Sequence, residues 1–219
     1  MTIFVCGDST AASYTPQQAP MAGWGQMLGE LTGGIPVVNC AVGGRSTKSF
    51  ISEGRLAEIE KQLTPGDIVL IQFSHNDESP LVWRHTDPWT SFTNNLSVFA
   101  DTARLYGAVP VLLTPIYMRL WRDGEFQESH GDYIKAIHTL AKQRNVPLID
   151  MYMESRELVT ELGEEKSKSL FMHLEKGAYP AYPDGRQDNA HTREAGARAF
   201  ARAAAGGLNR LGLIGEDAP

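Results

Sequence analysis

With 219 residues, the chain is long enough for one domain of ordinary size and short for two. Hydrophobic residues make up 42% and charged residues 21%, which excludes the composition of a disordered chain. A formal net charge of −6 removes any general attraction for a nucleic-acid backbone or an anionic membrane surface. The two cysteines, Cys6 and Cys40, stand in apolar runs outside any CxxC or Cys/His spacing. Buried free thiols are therefore expected, not a disulfide framework or a zinc site. Residues 1–7 carry neither a basic leader nor a long apolar stretch, and no segment reaches the ~20 apolar residues of a membrane span. A soluble, cytoplasmic protein is the expectation.

In chain order, the apolar run at 3–6 reads as a first strand, followed by a segment of helical period at 24–31. A strand at 37–41 and a helix at 56–63 come next, then a strand at 68–73 and a helix at 91–106. In that helix Phe92, Leu96, Phe99, Ala103 and Tyr106 step by three or four into one apolar stripe, the mark of a helix packed on a sheet. Strands at 109–114 and 147–149 enclose a helix at 133–144, and helices at 156–162 and 194–211 complete the series. The strand runs are continuously apolar, as in a parallel sheet buried on both faces. Pro65-Gly66-Asp67, Gly107 and Asn145-Val146-Pro147 supply stop signals between elements. The alternation predicts a three-layer α/β domain over 1–212 with a five-stranded parallel sheet, and a short tail at 213–219. Segments 115–131 and 163–189 break the alternation and are expected as long loops. The second holds Lys166, Lys168, His173, Tyr179, Tyr182 and Arg186, a mixture suited to a polar ligand such as a sugar, or to a solvated excursion with its aromatics packed down.

In an open α/β sheet, ligands bind beyond the carboxyl ends of the strands. There the sequence places Gly7-Asp8-Ser9-Thr10, Gly43-Gly44-Arg45-Ser46 and Ser74-His75-Asn76-Asp77: a hydroxyl, a glycine pair and a carboxamide donor. A serine hydroxyl needs a base to take its proton and a third group to hold that base. Asp188-Asn189-Ala190-His191, expected at the start of the last helix, offers both. Each element alone also has a structural use: Asp8 or Ser9 can cap a turn, Gly43-Gly44 can make one, and Asp188 can serve as an N-cap.

Their joint order resembles the four signature blocks of the GDSL/SGNH hydrolases across almost the whole chain. Gly7-Asp8-Ser9-Thr10, Gly23-Trp24-Gly25, Gly44-Arg45-Ser46 and Gln72-Phe73-Ser74-His75-Asn76-Asp77 are closest to the rhamnogalacturonan acetylesterases within that superfamily. Two positions depart from the pattern: Ser74, where glycine is usual, and Thr192, where a larger apolar residue is common and which is expected to alter the pocket wall. The resemblance implies a flavodoxin-like sheet, Ser9 as nucleophile, His191 as base and then acid, and Asp188 as its orienting carboxylate. It implies an oxyanion hole from the backbone N–H groups of Ser9 and Gly44 and the side chain of Asn76. No cofactor or metal is implied, and the expected partner is an acetylated pectic oligosaccharide.

Among the remaining polar residues, His75 is expected to orient its loop and Asp77 to bind neighbouring backbone amides. His85, His130, His138 and His173 lack ligand spacing. Trp83 and Arg84 are candidates for a wall of the site, with Trp83 stacking on a sugar or simply packed. Arg119 and Arg122 are candidates for a uronate carboxylate, with plain surface arginines the alternative; Tyr182 completes the substrate-binding set. The same blocks also serve short-chain acyl esterases, lipases and thioesterases, and a non-catalytic carbohydrate-binding domain is a third reading.

Overall fold

The computed structural model describes residues 1–215. Its central sheet is parallel throughout and has five strands: β1 (Ile3–Gly7), β2 (Val37–Asn39), β3 (Ile68–Gln72), β4 (Val109–Leu113) and β7 (Leu148–Ile149). They lie in the order β2-β1-β3-β4-β7. The five expected strands and the flavodoxin-like arrangement are present. Two small antiparallel pairs stand apart from this sheet: β5 (Trp121–Arg122) with β6 (Glu125–Phe126), and β8 (Phe171–Leu174) with β9 (Arg186–Thr192).

Alternation along the strands divides the core into two layers. Ile3, Val5, Ile68, Leu70, Val111 and Leu113 face one side, where α1 (Trp24–Met27), α6 (Met151–Ser167) and α7 (Glu194–Arg210) pack. Phe4, Cys6, Val69, Ile71 and Leu112 face the other, against α2 (Thr47–Ser52), α3 (Arg55–Glu60), α4 (Thr93–Leu105) and α5 (Asp132–Arg144). Leu96, Phe99 and Ala103 of α4 are buried as the apolar stripe requires, and Phe99 closes a cluster with Phe50 and Phe73 at ring separations of 5.3–5.6 Å.

Several boundaries differ from the sequence reading. The helix expected at 24–31 is one α turn followed by a 3₁₀ segment, Leu28–Leu31. That expected at 91–106 begins earlier in a π turn, Pro88–Phe92, because the Asp87 carboxylate accepts from the N–H groups of Trp89 and Thr90. Helix α2 is additional, and the serine pair Ser46 and Ser49 caps it reciprocally. Segment 163–189 is not one long loop. Helix α6 kinks at Gly163 (φ 73°) and continues to Ser167, a 3₁₀ turn follows, and the β8–β9 hairpin occupies most of the remainder. Cys6 is buried but Cys40 only half-buried, and both thiols are free. Leu213 and Ile214, beyond the expected domain edge at 212, pack on the core, while 216–219 of the expected tail lie outside the described residues.

Candidate active site

The chain turns back on itself between β2 and β3 around β1, and the three loops of interest leave the carboxyl ends of these strands at that reversal. Ser9 follows β1 in a tight turn. The Asp8 carboxylate accepts from Thr10 N (2.9 Å) and Thr10 Oγ1 (2.8 Å), and the Asp8 carbonyl accepts from Ala11 N (3.2 Å) and Ala12 N (3.1 Å). The Tyr14 hydroxyl donates to the Ser9 carbonyl at 2.7 Å. Below the turn, Gln72 at the end of β3 accepts from Trp24 Nε1 (2.6 Å) and donates to the Thr114 carbonyl (3.1 Å), tying the ends of β3 and β4 to α1. A buried amide satisfied on both ends fixes the floor of the site.

Asp188 and His191 do not lie at a helix start. They belong to β9, where Asp188 pairs with Met172 and Thr192 with Phe171, so that Asn189, Ala190 and His191 bulge out of the ladder. The Asp188 Oδ1 accepts from the N–H groups of Ala190 and His191, both at 2.9 Å, and this side-chain turn holds the bulge open. The bulge aims His191 away from the hairpin. Its Nδ1 lies 2.8 Å from Asp188 Oδ2 and its Nε2 2.9 Å from Ser9 Oγ, across 182 positions of sequence. Arg186, on the same strand two residues before Asp188, donates to Asp188 Oδ2 from Nη2 (2.5 Å) and Nε (3.1 Å). Partial burial works against ionisation of Asp188, but the hydrogen bonds from the His191 side chain and backbone outweigh it and hold the carboxyl well below the usual range. Thr192 does not form a pocket wall: it is buried, and its hydroxyl donates to the Ala22 carbonyl, pinning β9 to the segment before α1.

Gly43 packs against Ser9, where an added Cβ would lie 3.5 Å from the Ser9 Cβ, and Gly44 after it takes the left-handed conformation (φ 79°) that glycine enters without cost. Among the described residues, the N–H groups of Ser9 and Gly44 donate to no backbone or side-chain acceptor. Asn76 is nearly buried; its Nδ2 donates to the Arg45 carbonyl (3.1 Å), and its Oδ1 accepts from Arg84 Nη1 (2.9 Å). One carboxamide hydrogen is left over. The structure thus brings together Ser9, Gly44, Asn76, Asp188 and His191.

Beneath the Ser9 turn lies a buried layer of charge. Asp8 Oδ2 and His75 Nδ1 are 3.4 Å apart, a charge contact without the alignment of a hydrogen bond. For both groups burial opposes the charged form. Their attraction, helped by hydrogen bonds from Thr10 to Asp8, prevails: Asp8 is held below the ordinary carboxylate value and His75 above the ordinary imidazole value. Asp77 accepts from Thr47 Oγ1 (2.5 Å), Thr86 Oγ1 (2.9 Å) and Thr47 N (3.1 Å), so it ties α2 to the loop after β3. Burial nevertheless pushes its carboxyl up to about 7. Ser74 adopts φ 154°, a region that favours glycine, which explains the preference for glycine in the resembled pattern. Its hydroxyl lies 2.7 Å from Glu78 Oε1 and 3.2 Å from His130 Nδ1, bonds that offset the strain.

The expected substrate-binding residues separate. Trp83 is 50% exposed beside the site, with the Arg84 guanidinium 5.3 Å from its ring. Arg119 is not a plain surface arginine. At 4% exposure it donates to Ser167 Oγ (3.0 Å), Asn189 Oδ1 (3.0 Å) and the Glu164 carbonyl, fastening the loop after β4 to β9. Tyr182 is half-buried, bonded to the Gln18 carbonyl and covered by Arg186. Arg119, Lys168, Arg186 and Arg193, with Glu164 and Glu175, line a cleft of about 550 Å³ along β9. Among the described residues no group of three His, Cys, Asp or Glu side chains is placed to hold a metal ion. No helix among them is long and apolar enough to cross a membrane. Sequence reasoning missed Arg186 and Tyr14 as supports of the site. Period-2 spacing from Asp188 would have exposed Arg186 had 186–192 been read as a strand.

This arrangement has relatives. The rhamnogalacturonan acetylesterase RhgT of Bacillus subtilis is 44% identical over 217 residues, 98% of this chain and 92% of that protein. The probable rhamnogalacturonan acetylesterase YesY of the same organism is 38% identical over 213 residues, 96% and 94% of the two chains. Among solved structures, the YxiM protein of B. subtilis superposes with a TM-score of 0.82 at 30% identity over 96% of this chain and 56% of its own. The acetylxylan esterase Axe2 of Geobacillus stearothermophilus, at 17% identity, TM-score 0.67 and coverage of 98% and 96%, shares the fold. The model of the GDSL-like lipase/acylhydrolase family matches residues 5–199, and the chain belongs to that family of ester hydrolases.

Proposed function

We propose that the protein is a serine esterase that removes acetyl groups from carbohydrate through an acetyl-enzyme, with acetylated rhamnogalacturonan fragments as its substrate class. The observation that carries this reading is the unbroken chain from Ser9 Oγ to His191 (2.9 Å) to Asp188 (2.8 Å). With Nδ1–H donated to Asp188, the His191 Nε2 is free to accept the Ser9 proton as Oγ attacks the acetyl carbon. The carbonyl oxygen takes the negative charge and is met by the N–H groups of Ser9 and Gly44 and the spare hydrogen of Asn76. Each such donor is worth on the order of 3 kcal/mol because the charge exists only in the tetrahedral state. Collapse breaks the bond to the sugar oxygen, which receives the proton from His191 Nε2. Water then repeats the sequence on the acetyl-enzyme: its proton passes to His191, acetate leaves, and Ser9 regains its hydrogen.

The substrate class is supported by the two Bacillus relatives, matched over nearly their whole lengths. Trp83 offers an exposed apolar face beside the site, the usual platform for a sugar ring. In the cleft along β9, Arg119, Lys168, Arg186 and Arg193 outnumber Glu164 and Glu175, an excess that suits the carboxylates of an acidic saccharide in a chain whose total charge is −6. The test compares acetate release from acetylated rhamnogalacturonan oligosaccharides with hydrolysis of p-nitrophenyl esters of increasing chain length. A preference for long acyl chains would overturn the carbohydrate reading. Failure of an organophosphate to label Ser9 would overturn the serine mechanism.

A further inference from the structure

Arg84 occupies a position that the reaction just described does not use. It closes the tight turn after the β3 loop, where the N–H groups of Arg84 and His85 both bond the Leu81 carbonyl and Lys48 Nζ fixes the Val82 carbonyl at 2.7 Å. From this anchored turn its Nη1 donates to Asn76 Oδ1 at 2.9 Å and lies 3.4 Å from the Gly44 carbonyl oxygen. One guanidinium therefore touches the Asn76 carboxamide itself and, through its carbonyl, the residue whose N–H is the second donor assigned to the oxyanion. Trp83 stands beside it, its ring centroid 5.3 Å away, and the buried Nε has no hydrogen-bond partner. Among the described residues no carboxylate pairs with Arg84 within 4.0 Å.

The bonds of Asn76 decide which way its carboxamide points. Turned over, the NH₂ group would face the Arg84 N–H donors and the oxygen would face the Arg45 carbonyl, donor against donor and acceptor against acceptor. As found, both ends are matched and the free hydrogen stays on Nδ2. A cation on Oδ1 also draws charge from the amide and strengthens its N–H as a donor, in a site where screening is weak.

We propose that Arg84 is a positioning residue for the oxyanion hole: it locks the Asn76 carboxamide in its donor orientation and steadies the backbone at Gly44. The proposal rests on the assignment of Asn76 to that hole. The experiment measures kcat and KM on p-nitrophenyl acetate, whose small leaving group removes sugar contacts at Trp83 from the comparison. Variants are Arg84→Met, Arg84→Lys, Arg84→Ala with and without methylguanidinium at concentrations that do not denature, Asn76→Ala, and the Arg84→Met/Asn76→Ala double variant. Arg84→Met is expected to lower kcat by about 10–100-fold, short of the ~10²–10³ for losing a donor outright, with KM nearly unchanged. Methylguanidinium should restore part of the Arg84→Ala loss, Arg84→Lys should fall between, and Arg84→Met should cost far less once Asn76 is alanine than it does alone, since only the contact with Gly44 is then left to lose. An unchanged kcat in Arg84→Met, a loss in KM alone, or an equal loss in the Asn76→Ala background would overturn the proposal. Wild-type kcat in Asn76→Ala alone would instead overturn the oxyanion assignment beneath it.

Discussion

Replacing Asp188 with asparagine keeps the shape of the site and inverts its hydrogen bonding. Every group facing the carboxylate is a donor: the backbone N–H groups of Ala190 and His191 at Oδ1, and His191 Nδ1 with Arg186 Nε and Nη2 at Oδ2. A carboxamide has one acceptor end. If its oxygen keeps the two backbone bonds that hold the β9 bulge, its NH₂ faces Arg186 and His191. The imidazole must then carry its proton on Nε2, pointing at Ser9 Oγ, and can no longer act as base. The expected loss in kcat is about 10⁴-fold, or ~5.5 kcal/mol. The cost in stability should be far smaller, about 1 kcal/mol, since the Arg186–Asp188 pair is partly solvated, with side chains 30% and 16% exposed. Steady-state kinetics on p-nitrophenyl acetate, read beside urea unfolding, separates the two. A variant that retains kcat within tenfold of the parent would refute the tautomer argument.

Other perturbations follow from the same geometry. Gly196 on α7 packs so closely on the Leu170 carbonyl that an added Cβ would lie 2.2 Å from its oxygen. Gly196→Ala should destabilise by about 3 kcal/mol and displace β9, which a lowered unfolding midpoint together with lost activity would register. Asp77, raised by burial to about 7 from 3.8, holds in the folded state a proton that the unfolded chain releases. Its contribution to stability is therefore fully present below about pH 4 and is lost as pH rises through about 7. The stability difference between the parent and Asp77→Asn should decline over that window, and a difference flat with pH would count against it. At Ser74, glycine and alanine both lose the hydroxyl bonds to Glu78 and His130, but glycine relieves the backbone while alanine keeps the strain. Ser74→Ala should be less stable than Ser74→Gly by about 1 kcal/mol in urea denaturation.

The parts legible in the sequence were those whose signal is local or periodic. Continuous apolar runs marked all five strands of the central sheet, and the chemistry-bearing loops sat at their carboxyl ends. The Asp188-x-x-His191 spacing marked a pair that the structure holds 2.8 Å apart, but suggested the wrong frame. Residues 186–192 are almost entirely polar, so nothing in their pattern reveals a strand; β9 is held by β8, by Thr192 on Ala22 and by Arg119 on Asn189. Arg119 was read either as a partner for a uronate carboxylate or as a plain surface arginine, whereas three acceptors distant in sequence bury it. Helix α2 carries little apolar periodicity, and its readable sign was the Ser46–Ser49 cap. What escaped is thus tertiary in origin, including the contact of Arg84 with Asn76.

In the proposed reaction, Ser9 carries the acetyl group between substrate and water. Rapid quench of the protein with acetylated rhamnogalacturonan oligosaccharide, followed by peptide mapping by mass spectrometry, tests this directly. A transient acetyl increment is expected on the peptide containing Ser9, accumulating in a variant slowed in deacylation and absent from Ser9→Ala. Turnover by Ser9→Ala at the parental rate, or an acetyl group found on another residue with Ser9 unmodified, would contradict it.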